Sequence, residues 1–268
     1  MAIMEVQLVS HALMRCVPVQ VILPADKWNP DGTLMPRRKF KTLYLLHGLW
    51  GCCSDWLTCS RIRQWAEKRD LAVVMPSGDN AFYVDRPASG NNYGEFLGRE
   101  LIEMTRRMFP LSEKREDTFI AGLSMGGFGA MRNGLKYADT FGAIASLSGA
   151  FHVMNFEDMG ATSKAFGEAV FGPQEEMAVS DKNPVVLAKA LAEKAQKPRI
   201  YMSCGTEDHL MPANRVFREI LEDNGFDVTW YEGPGDHNWD FWNEDICRIL
   251  DWLPLGEGVE GLNSGHVR

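Results

Sequence analysis

The chain has 268 residues, of which 45% are hydrophobic and 24% are charged, so it can bury a sizeable core and is not a disordered or fibrous chain. Its formal net charge is −8, from 28 basic and 36 acidic residues, which disfavours binding to the phosphate backbone of a nucleic acid. A chain of this length forms one large domain or two small ones.

No stretch of the sequence approaches the roughly 18 uninterrupted apolar residues of a membrane-spanning helix. The first ten residues carry Glu5 and lack a basic start followed by an apolar run, so they do not resemble a signal peptide. The six cysteines form no CxxC pair and are too sparse for a disulfide scaffold. These features predict a cytoplasmic protein with reduced thiols and no membrane contact.

Short apolar runs rich in Val, Ile and Leu alternate with segments of helical periodicity along most of the chain. The first two runs lie close together, which predicts an antiparallel pair of strands. In chain order the predicted strands are 3–10, 16–23, 41–48, 71–76, 117–123, 141–149, 199–204 and 226–232. The predicted helices are 55–69, 95–109, 125–137, 185–195, 212–224 and 240–252. Residues 77–93 are predicted to form a polar loop, and the tail after Pro254 is expected to be loose.

The repeated order of strand and then helix predicts right-handed crossovers and a mostly parallel sheet with helices on both faces. Residues 150–183 interrupt this order, since they contain Met, Phe, Gly and Pro without clear periodicity. A segment of this length is usually functional, and we interpret it as a small cap insertion. No internal repeat or linker divides the sequence, so residues 1–268 are predicted to form a single α/β domain.

The segment Gly122-Leu123-Ser124-Met125-Gly126 matches the pattern G-x-S-x-G between a predicted strand and a predicted helix. In such a nucleophile elbow the serine occupies a sharp, strained turn that exposes its hydroxyl, and small flanking residues let the strand and helix approach. The pattern alone also occurs by chance as a structural glycine turn. Its strand–turn–helix context indicates that Ser124 is a catalytic nucleophile.

A serine nucleophile needs a general base, and the base needs an acid that orients it. The chain order that follows such an elbow is acid and then histidine. His237 follows the last predicted strand, where a loop can reach over the serine, and is preferred as the base to His209. Asp208 follows the preceding strand and is the predicted acid, with Glu207 as the alternative.

The adjacent pairs Asp208-His209 and Asp236-His237 offer an alternative interpretation as a metal site. No two histidines have the i, i+4 spacing of a helix-borne zinc site, and no cysteine pair supports one. We therefore expect no metal ion and no cofactor, and we expect His209 and Asp236 to fix loops.

Acyl transfer also requires hydrogen-bond donors for the negatively charged oxygen of the tetrahedral intermediate. The backbone N–H of Met125, directly after the nucleophile, is the first predicted donor. The second is expected in the loop after the third predicted strand, which reads HGLWG over residues 47–51, and we assign it to the N–H of Leu49. The glycines of this loop allow the backbone to turn its N–H groups inward.

These residues carry a resemblance to the esterase D-like α/β-hydrolases, in particular to the bacterial tributyrin esterase and feruloyl esterase branch. Four motifs occur in family order and cover essentially the whole chain: LYLLHGLWGCCSDW (43–56), AGLSMGGFGAM (121–131), SCGTED (203–208) and GDHNWDFW (235–242). The resemblance implies the α/β-hydrolase fold and hydrolysis of carboxylic esters without a cofactor. It places the triad on Ser124, Asp208 and His237 and the oxyanion hole on Leu49 and Met125. A homo-oligomer, a dimer or a tetramer, is compatible with it.

The predicted function is a serine carboxylesterase that hydrolyses short-chain acyl or hydroxycinnamoyl (feruloyl-type) esters through an acyl-enzyme intermediate. One alternative is an S-formylglutathione hydrolase, although those relatives typically carry Ser-Gly where this chain has His47-Gly48. Another is an acetyl esterase acting on acetylated xylo-oligosaccharides. A non-catalytic binding protein is disfavoured because all three triad residues are present. The expected partner is a small-molecule or oligosaccharide ester.

Aromatic and amide side chains near the predicted active-site loops are candidates for substrate contacts. Tryptophans suit an acyl or aryl group because they supply rigid apolar surface at low entropic cost, although some are expected to be structural. The polar loop 77–93 offers hydrogen bonds to an alcohol or a sugar. The candidate substrate-binding residues are Trp50, Asn92, Trp239 and Trp242.

Overall fold

The computed structural model describes residues 1–160 and 162–258. In chain order its strands are β1 (Ala2–Ser10), β2 (Arg15–Leu23), β3 (Thr42–Leu46), β4 (Ala72–Pro76), β5 (Asp85–Arg86), β6 (Asn91–Asn92), β7 (Thr118–Leu123), β8 (Ala143–Leu147), β9 (Arg199–Gly205) and β10 (Val228–Gly233). Eight of them form one sheet, and β5 and β6 form a separate small hairpin.

The order across the large sheet is β1-β2-β4-β3-β7-β8-β9-β10. β2 runs antiparallel to its neighbours β1 and β4, whereas the pairs from β4 to β10 are parallel. The predicted fold class, a mostly parallel sheet with antiparallel N-terminal strands, is confirmed. Parallel strands bring their carboxyl ends to one edge of the sheet, and the loops that leave this edge carry the candidate site residues.

The helices cover both faces of the sheet. They are α1 (Asp55–Cys59), α2 (Ile62–Lys68), α3 (Tyr93–Glu95), α4 (Leu101–Met108), α5 (Met125–Lys136), α6 (Lys164–Phe171), α7 (Gln174–Val179), α8 (Pro184–Leu191), α9 (Met211–Asp223) and α10 (Trp239–Trp252). Side chains of β3 alternate between the two faces. Tyr44 and Leu46 pack in the cluster that contains α5 and α9, and Leu43 and Leu45 pack in the cluster that contains α2 and α10.

Three segments differ from the sequence-based expectation. The helix predicted over 55–69 is divided, because Ser60 is extended and its hydroxyl donates to the carbonyl of Trp56 at 2.5 Å. The polar loop 77–93 contains the β5–β6 hairpin. The cap segment 150–183, which shows no clear periodicity in sequence, contains α6 and α7, and the Ser163 hydroxyl caps α6 by accepting the N–H of Phe166.

The sequence also predicts a loose tail and a single domain. The loose tail predicted after Pro254 falls mostly on residues 259–268, which lie outside the described residues. The single-domain organisation remains a prediction. In the ranges 1–160 and 162–258, no helix has the length and apolar character needed to cross a membrane.

A buried carboxylate lies between β9 and α10. Asp245 accepts a hydrogen bond from the Tyr201 hydroxyl at 3.0 Å and another from the Ser203 hydroxyl, and Arg248 lies 3.7 Å away. Burial raises the pKa of Asp245 to about 6, although the hydrogen bonds from Ser203 and Tyr201 and the charge of Arg248 oppose this rise. The folded state therefore binds this proton more tightly than the unfolded chain does.

This difference predicts a pH dependence of stability. Between about pH 4 and about pH 6 the unfolded chain releases the Asp245 proton while the folded protein keeps it, so ionisation lowers the free energy of unfolding by about 3 kcal/mol. Asp245→Asn has no ionisable group at this position, so its free energy of unfolding does not fall in this way as the pH rises. Urea denaturation is expected to show the variant gaining about 3 kcal/mol relative to the native protein between about pH 4 and about pH 7. Parallel pH profiles for the two proteins would contradict the assignment.

Candidate active site

Ser124 lies in the turn between β7 and α5, with φ 54° and ψ −117°. A non-glycine residue in this left-handed region stores about 1–3 kcal/mol of strain, which the surrounding structure must hold. The Ser124 N–H donates to the carbonyl of Leu147 at 2.9 Å, and the Ser124 carbonyl accepts the N–H of Ala150 at 3.0 Å. The turn is thereby bonded to the last residue of β8 and to the loop that follows β8. The Ser124 side chain lines an open cavity.

The two glycines of the elbow are required by close packing. A Cβ atom on Gly122 would lie 2.4 Å from the carbonyl oxygen of Gly126, and one on Gly126 would lie 2.6 Å from the carbonyl oxygens of Leu46 and His47. Contacts this short do not occur for real Cβ atoms. The sequence pattern therefore reflects the approach of α5 to β7 and β3, as the motif predicts.

The structure brings the three predicted triad residues together. The ring Nε2 of His237 lies 3.0 Å from the Ser124 Oγ, and its Nδ1 lies 2.9 Å from Oδ2 of Asp208. His237 follows β10 and Asp208 follows β9, so neighbouring parallel strands deliver the two side chains. This is the geometry in which an imidazole can accept a serine proton while a carboxylate holds its other nitrogen.

The Asp208 side chain is fully buried and well supplied with hydrogen bonds. Burial acts to raise its pKa, but the hydrogen bond and charge of His237, the N–H of Leu210 and the hydroxyl of Ser148 outweigh it, and the pKa lies below its ordinary value. The Leu210 N–H donates to Oδ1 at 2.8 Å. The Ser148 hydroxyl also accepts the indole N–H of Trp242 at 3.0 Å. Asp208 is thus held ionised and oriented toward His237.

The alternative acid and the alternative base have other contacts. Glu207 accepts the N–H of Gly235 at 2.5 Å and so fixes the loop that precedes His237. Asp236 accepts the N–H of His237 at 2.7 Å. His209 is exposed and its ring packs edge-on against that of His237, with ring centres 5.0 Å apart. Glu207 and Asp236 therefore support the catalytic loop, whereas Asp208 is the acid that contacts the His237 ring at Nδ1.

The metal alternative has a geometric counterpart. Potential ligand atoms of Asp208, His209 and His237 lie within 4.8 Å of one another. Both ring nitrogens of His237 already contact Ser124 and Asp208, however, and a metal ion would have to displace one of these contacts. The expectation of a protein without metal or cofactor remains a prediction.

The predicted oxyanion-hole residues flank the nucleophile. Met125 is the first residue of α5, so its N–H is among those that a helix start leaves without an intrahelical partner. Leu49 lines the cavity together with Ser124. A Cβ atom on the preceding Gly48 would lie 3.5 Å from the Ser124 Cβ and 2.7 Å from Leu123 Cδ1. The backbone that carries the Leu49 N–H therefore runs directly beside the nucleophile.

The cavity over Ser124 has a volume of about 300 Å³ and mixed walls. The cap segment contributes one wall through Ala150, His152, Val153, Met159 and Thr162. Phe82, from the loop 77–93, lines it as well. Among the described residues that line the cavity, the charged or titratable ones are Asp55 and the histidines 152, 209 and 237, and lysine and arginine are not among them.

Three of the four candidate substrate-binding residues lie at this cavity. Trp50 is 75% exposed at its mouth, whereas Trp242 is buried and packs edge-on against the His237 ring at 4.8 Å. Trp239 lies between Trp242 and Trp56 in a chain of edge-to-face contacts. The structure does not bring Asn92 to the cavity. It belongs to the β5–β6 hairpin, and its N–H donates to the carbonyl of Ala12, which holds the hairpin against the β1–β2 turn.

Several residues of the site have no signal in the sequence pattern. His152 in the cap segment and His209 in the loop after β9 both line the cavity, and no sequence motif places either of them there. Ser148 supports Asp208 from the end of β8 in a left-handed conformation, with φ 47°. The positive φ of Ser148 is invisible in the sequence. The HG dipeptide predicts the position of the oxyanion loop, but it does not predict which groups the His47 ring contacts.

Comparison with known proteins shows that the chain is similar to esterases. The Esterase family model matches residues 10–253. The chain is 40% identical over 263 residues to an acetyl esterase from Caldicellulosiruptor saccharolyticus, covering 94% of this chain and 98% of the relative. It is 32% identical to a crystal structure of an S-formylglutathione hydrolase (FrmB) from Staphylococcus aureus, with a TM-score of 0.82 and coverage of 94% and 98% of the two chains.

A ferulic acid esterase structure has a TM-score of 0.76 at 22% identity, covering 94% of this chain and 97% of that one, which shows a shared fold. The family match spans most of the chain, and the acetyl esterase aligns over nearly its whole length. The chain therefore belongs to the Esterase family as an esterase D-like α/β-hydrolase, and it is a carboxylic ester hydrolase of the serine type.

Proposed function

We propose that this enzyme hydrolyses short-chain acyl esters of uncharged alcohols, with Ser124, His237 and Asp208 as its catalytic triad. The observation that carries the proposal is the continuous chain of contacts from Ser124 Oγ to His237 at 3.0 Å and from His237 to Asp208 at 2.9 Å. Ser124, the first residue in this series of contacts, lines an accessible cavity in which an ester carbonyl can reach its hydroxyl.

The reaction has two halves that use the same residues. The Ser124 Oγ attacks the ester carbonyl carbon while Nε2 of His237 accepts its proton, and the N–H groups of Leu49 and Met125 bind the resulting oxyanion. When the intermediate collapses, His237 donates its proton to the departing alkoxide and leaves an acyl group on Ser124. Water then attacks this acyl-enzyme with His237 again as base, which releases the acid and restores the serine. Asp208 stabilises the imidazolium in both halves.

The size and charge of the cavity support the choice of substrate. A volume of about 300 Å³ lies at the small end of the range for ligand sites. Walls of Leu49, Phe82 and Val153 suit a short acyl chain, and neither lysine nor arginine is present among the described lining residues to bind carboxylates. The 40% identity to an acetyl esterase supports an acetyl-like group. The alcohol portion is a small molecule or an oligosaccharide.

S-formylglutathione hydrolysis is the second candidate, because the FrmB structure from Staphylococcus aureus is 32% identical to this chain over 94% of its length. The glutathione portion carries two carboxylates, however, and the cavity presents Asp55 to an incoming ligand. Feruloyl esters are the other predicted acyl class. The likeness to a ferulic acid esterase structure, at 22% identity, concerns the fold and does not favour them over short acyl groups.

A matched substrate panel tests the proposal. We expect kcat/KM to be greatest for 4-nitrophenyl acetate or butyrate and to fall about tenfold or more for the octanoate, because each surplus methylene must fit a short pocket. Methyl ferulate, an acetylated xylo-oligosaccharide and S-formylglutathione complete the panel, with Ser124→Ala as the blank. A kcat/KM for S-formylglutathione above that for every ester would overturn the proposed substrate class.

We also propose a cytoplasmic location. All six cysteines lie within the described residues and are free thiols, and three of them, Cys16, Cys52 and Cys59, are exposed. Exposed free thiols are typical of reducing compartments.

A further inference from the structure

His47 is buried behind the loop that carries the second oxyanion donor, and its ring bridges two backbone groups. Nε2 lies 2.8 Å from the N–H of Gly78, and Nδ1 lies 2.7 Å from the carbonyl oxygen of Gly48. A backbone N–H can only donate, so Nε2 must be the acceptor and the ring proton must be on Nδ1. His47 therefore donates a hydrogen bond to the Gly48 carbonyl.

This bond determines which way the next peptide faces. The Gly48 carbonyl accepts from His47 and also from the N–H of Gly51 at 3.3 Å, so it points toward the buried His47 ring, which is not among the residues that line the cavity. The peptide bond between Gly48 and Leu49 is planar and trans, and its N–H points opposite to its carbonyl. The Leu49 N–H therefore points away from the His47 ring, and both Leu49 and Ser124 line the cavity.

The segment 78–83 secures the same loop from two further directions. The Tyr83 hydroxyl donates to the His47 carbonyl at 3.1 Å, and the Asn80 side-chain oxygen accepts the N–H of Trp50 at 2.8 Å. Asp79, Phe82 and Tyr83 all have positive φ values, of 45°, 49° and 55°. Strained residues of this kind persist only where surrounding contacts over-determine the backbone, and they cluster at functional sites.

The charge state of His47 agrees with this role. Burial lowers the pKa of His47, although the bond to Gly48 and the carboxylates of Asp55 and Asp79 act in the opposite direction. The neutral ring is the form that can accept from Gly78 and donate to Gly48 at the same time. A protonated ring would lose the bond to the Gly78 N–H.

We propose that His47, braced by Tyr83, is a positioning residue that aims the Leu49 N–H at the oxyanion formed on the substrate. The proposal rests on the proposed acyl transfer at Ser124 and adds to it the residue that makes the second donor available. Nothing in the proposal requires His47 to touch the substrate.

Two substitutions at His47 separate its two hydrogen bonds. His47→Asn keeps a donor at the position of Nδ1 and so keeps the bond to Gly48, whereas His47→Gln keeps an acceptor near the position of Nε2 and so keeps the bond to Gly78. If the Gly48 bond aims the donor, His47→Gln is expected to lower kcat for 4-nitrophenyl acetate by about 100-fold, and His47→Asn by about tenfold or less. KM is expected to change little in either variant.

The Ki of a short trifluoromethyl ketone distinguishes a positioning role of His47 from a merely structural one. The Ser124 Oγ adds to its carbonyl carbon and His237 takes the serine proton, so the inhibitor oxygen becomes an oxyanion in the same hole. Its Ki is expected to rise by the same factor as kcat/KM falls. Equal losses in the two variants, or an unchanged Ki, would overturn the positioning role, whereas the Ser124→Ala result judges the proposed function separately.

A milder pair of variants decides the matter if neither His47 variant folds. Tyr83→Phe removes the hydroxyl that braces the His47 carbonyl, and Tyr44→Phe removes an equally buried hydroxyl that bonds to Thr105 at 2.7 Å instead. We expect Tyr83→Phe to lower kcat and weaken trifluoromethyl ketone binding by about fivefold, and Tyr44→Phe to change neither. The same kcat and Ki in Tyr83→Phe as in the native enzyme would refute the brace.

Discussion

Ser124→Ala is expected to lower kcat on 4-nitrophenyl acetate by about 10⁴-fold or more, because no acyl-enzyme can form without the serine oxygen. The remaining rate would come from the oxyanion donors and from binding alone. The fold should persist, since the bonds that hold this turn are made by the Ser124 backbone to Leu147 and Ala150. Steady-state kinetics and labelling by a fluorophosphonate probe measure the loss, and both signals should disappear together.

Ser146→Ala is the matched control. Ser146 is also buried, on β8, and its hydroxyl has no hydrogen-bond partner in the described part of the chain, so its removal breaks no polar contact. We expect kcat within about twofold of the native value, in line with substitutions that touch no special feature. If Ser124→Ala kept native activity and probe labelling, the assignment of Ser124 as the nucleophile would be wrong.

Asp208→Asn is expected to lower kcat by about 10³- to 10⁴-fold with little change in KM. The Asp208 Oδ2 accepts the proton on His237 Nδ1 at 2.9 Å, and an amide N–H₂ placed there would instead require Nδ1 to accept. The imidazole would then carry its proton on Nε2, which faces Ser124, and could no longer take the serine proton. The Leu210 N–H can still bond to the side-chain oxygen, so the local fold should be preserved.

Asp245→Asn supplies the same chemical change in a second buried carboxylate. Its partners are Tyr201 and Ser203 rather than a histidine, and it does not line the cavity. Activity at pH 8 should stay within about threefold of native, even though its stability profile changes with pH. An Asp208→Asn enzyme as active as Asp245→Asn would point to another orienting group for His237.

The overall architecture could be predicted because its signals are local. β3, β4 and β7 are fully buried and, apart from an initial threonine in β3 and β7, consist of apolar residues, as is typical of strands covered on both faces. The weaker cases show the limit of this argument. The cap helix α6 is one such case, because Phe166 and Phe171 pack against Phe82 and Phe128, which come from distant parts of the chain.

The candidate triad was equally accessible from sequence, for steric and topological reasons. Gly122 is required by contacts within one strand–turn–helix unit and Gly126 by the approach of that unit to the end of β3, and the unit places Ser124 at the edge of the sheet. Asp208 and His237 each follow a parallel strand, and parallel strands end at the same edge. A short motif and the order of the strands were therefore sufficient to select the three residues.

By itself, then, the sequence determined the fold class and the Esterase family membership, and it selected Ser124, Asp208 and His237 as the candidate nucleophile, acid and base, because short motifs and strand order encode these features. Tertiary structure alone decided that Asn92 lies in a hairpin and not among the residues that line the cavity, that His152 lines it and that His47 donates to the Gly48 carbonyl. These contacts depend on where separate loops meet in space, as with the bond from Gly78 to His47 across 31 residues of chain. Neither hydrophobic periodicity nor a short motif predicts contacts between loops that are distant in sequence.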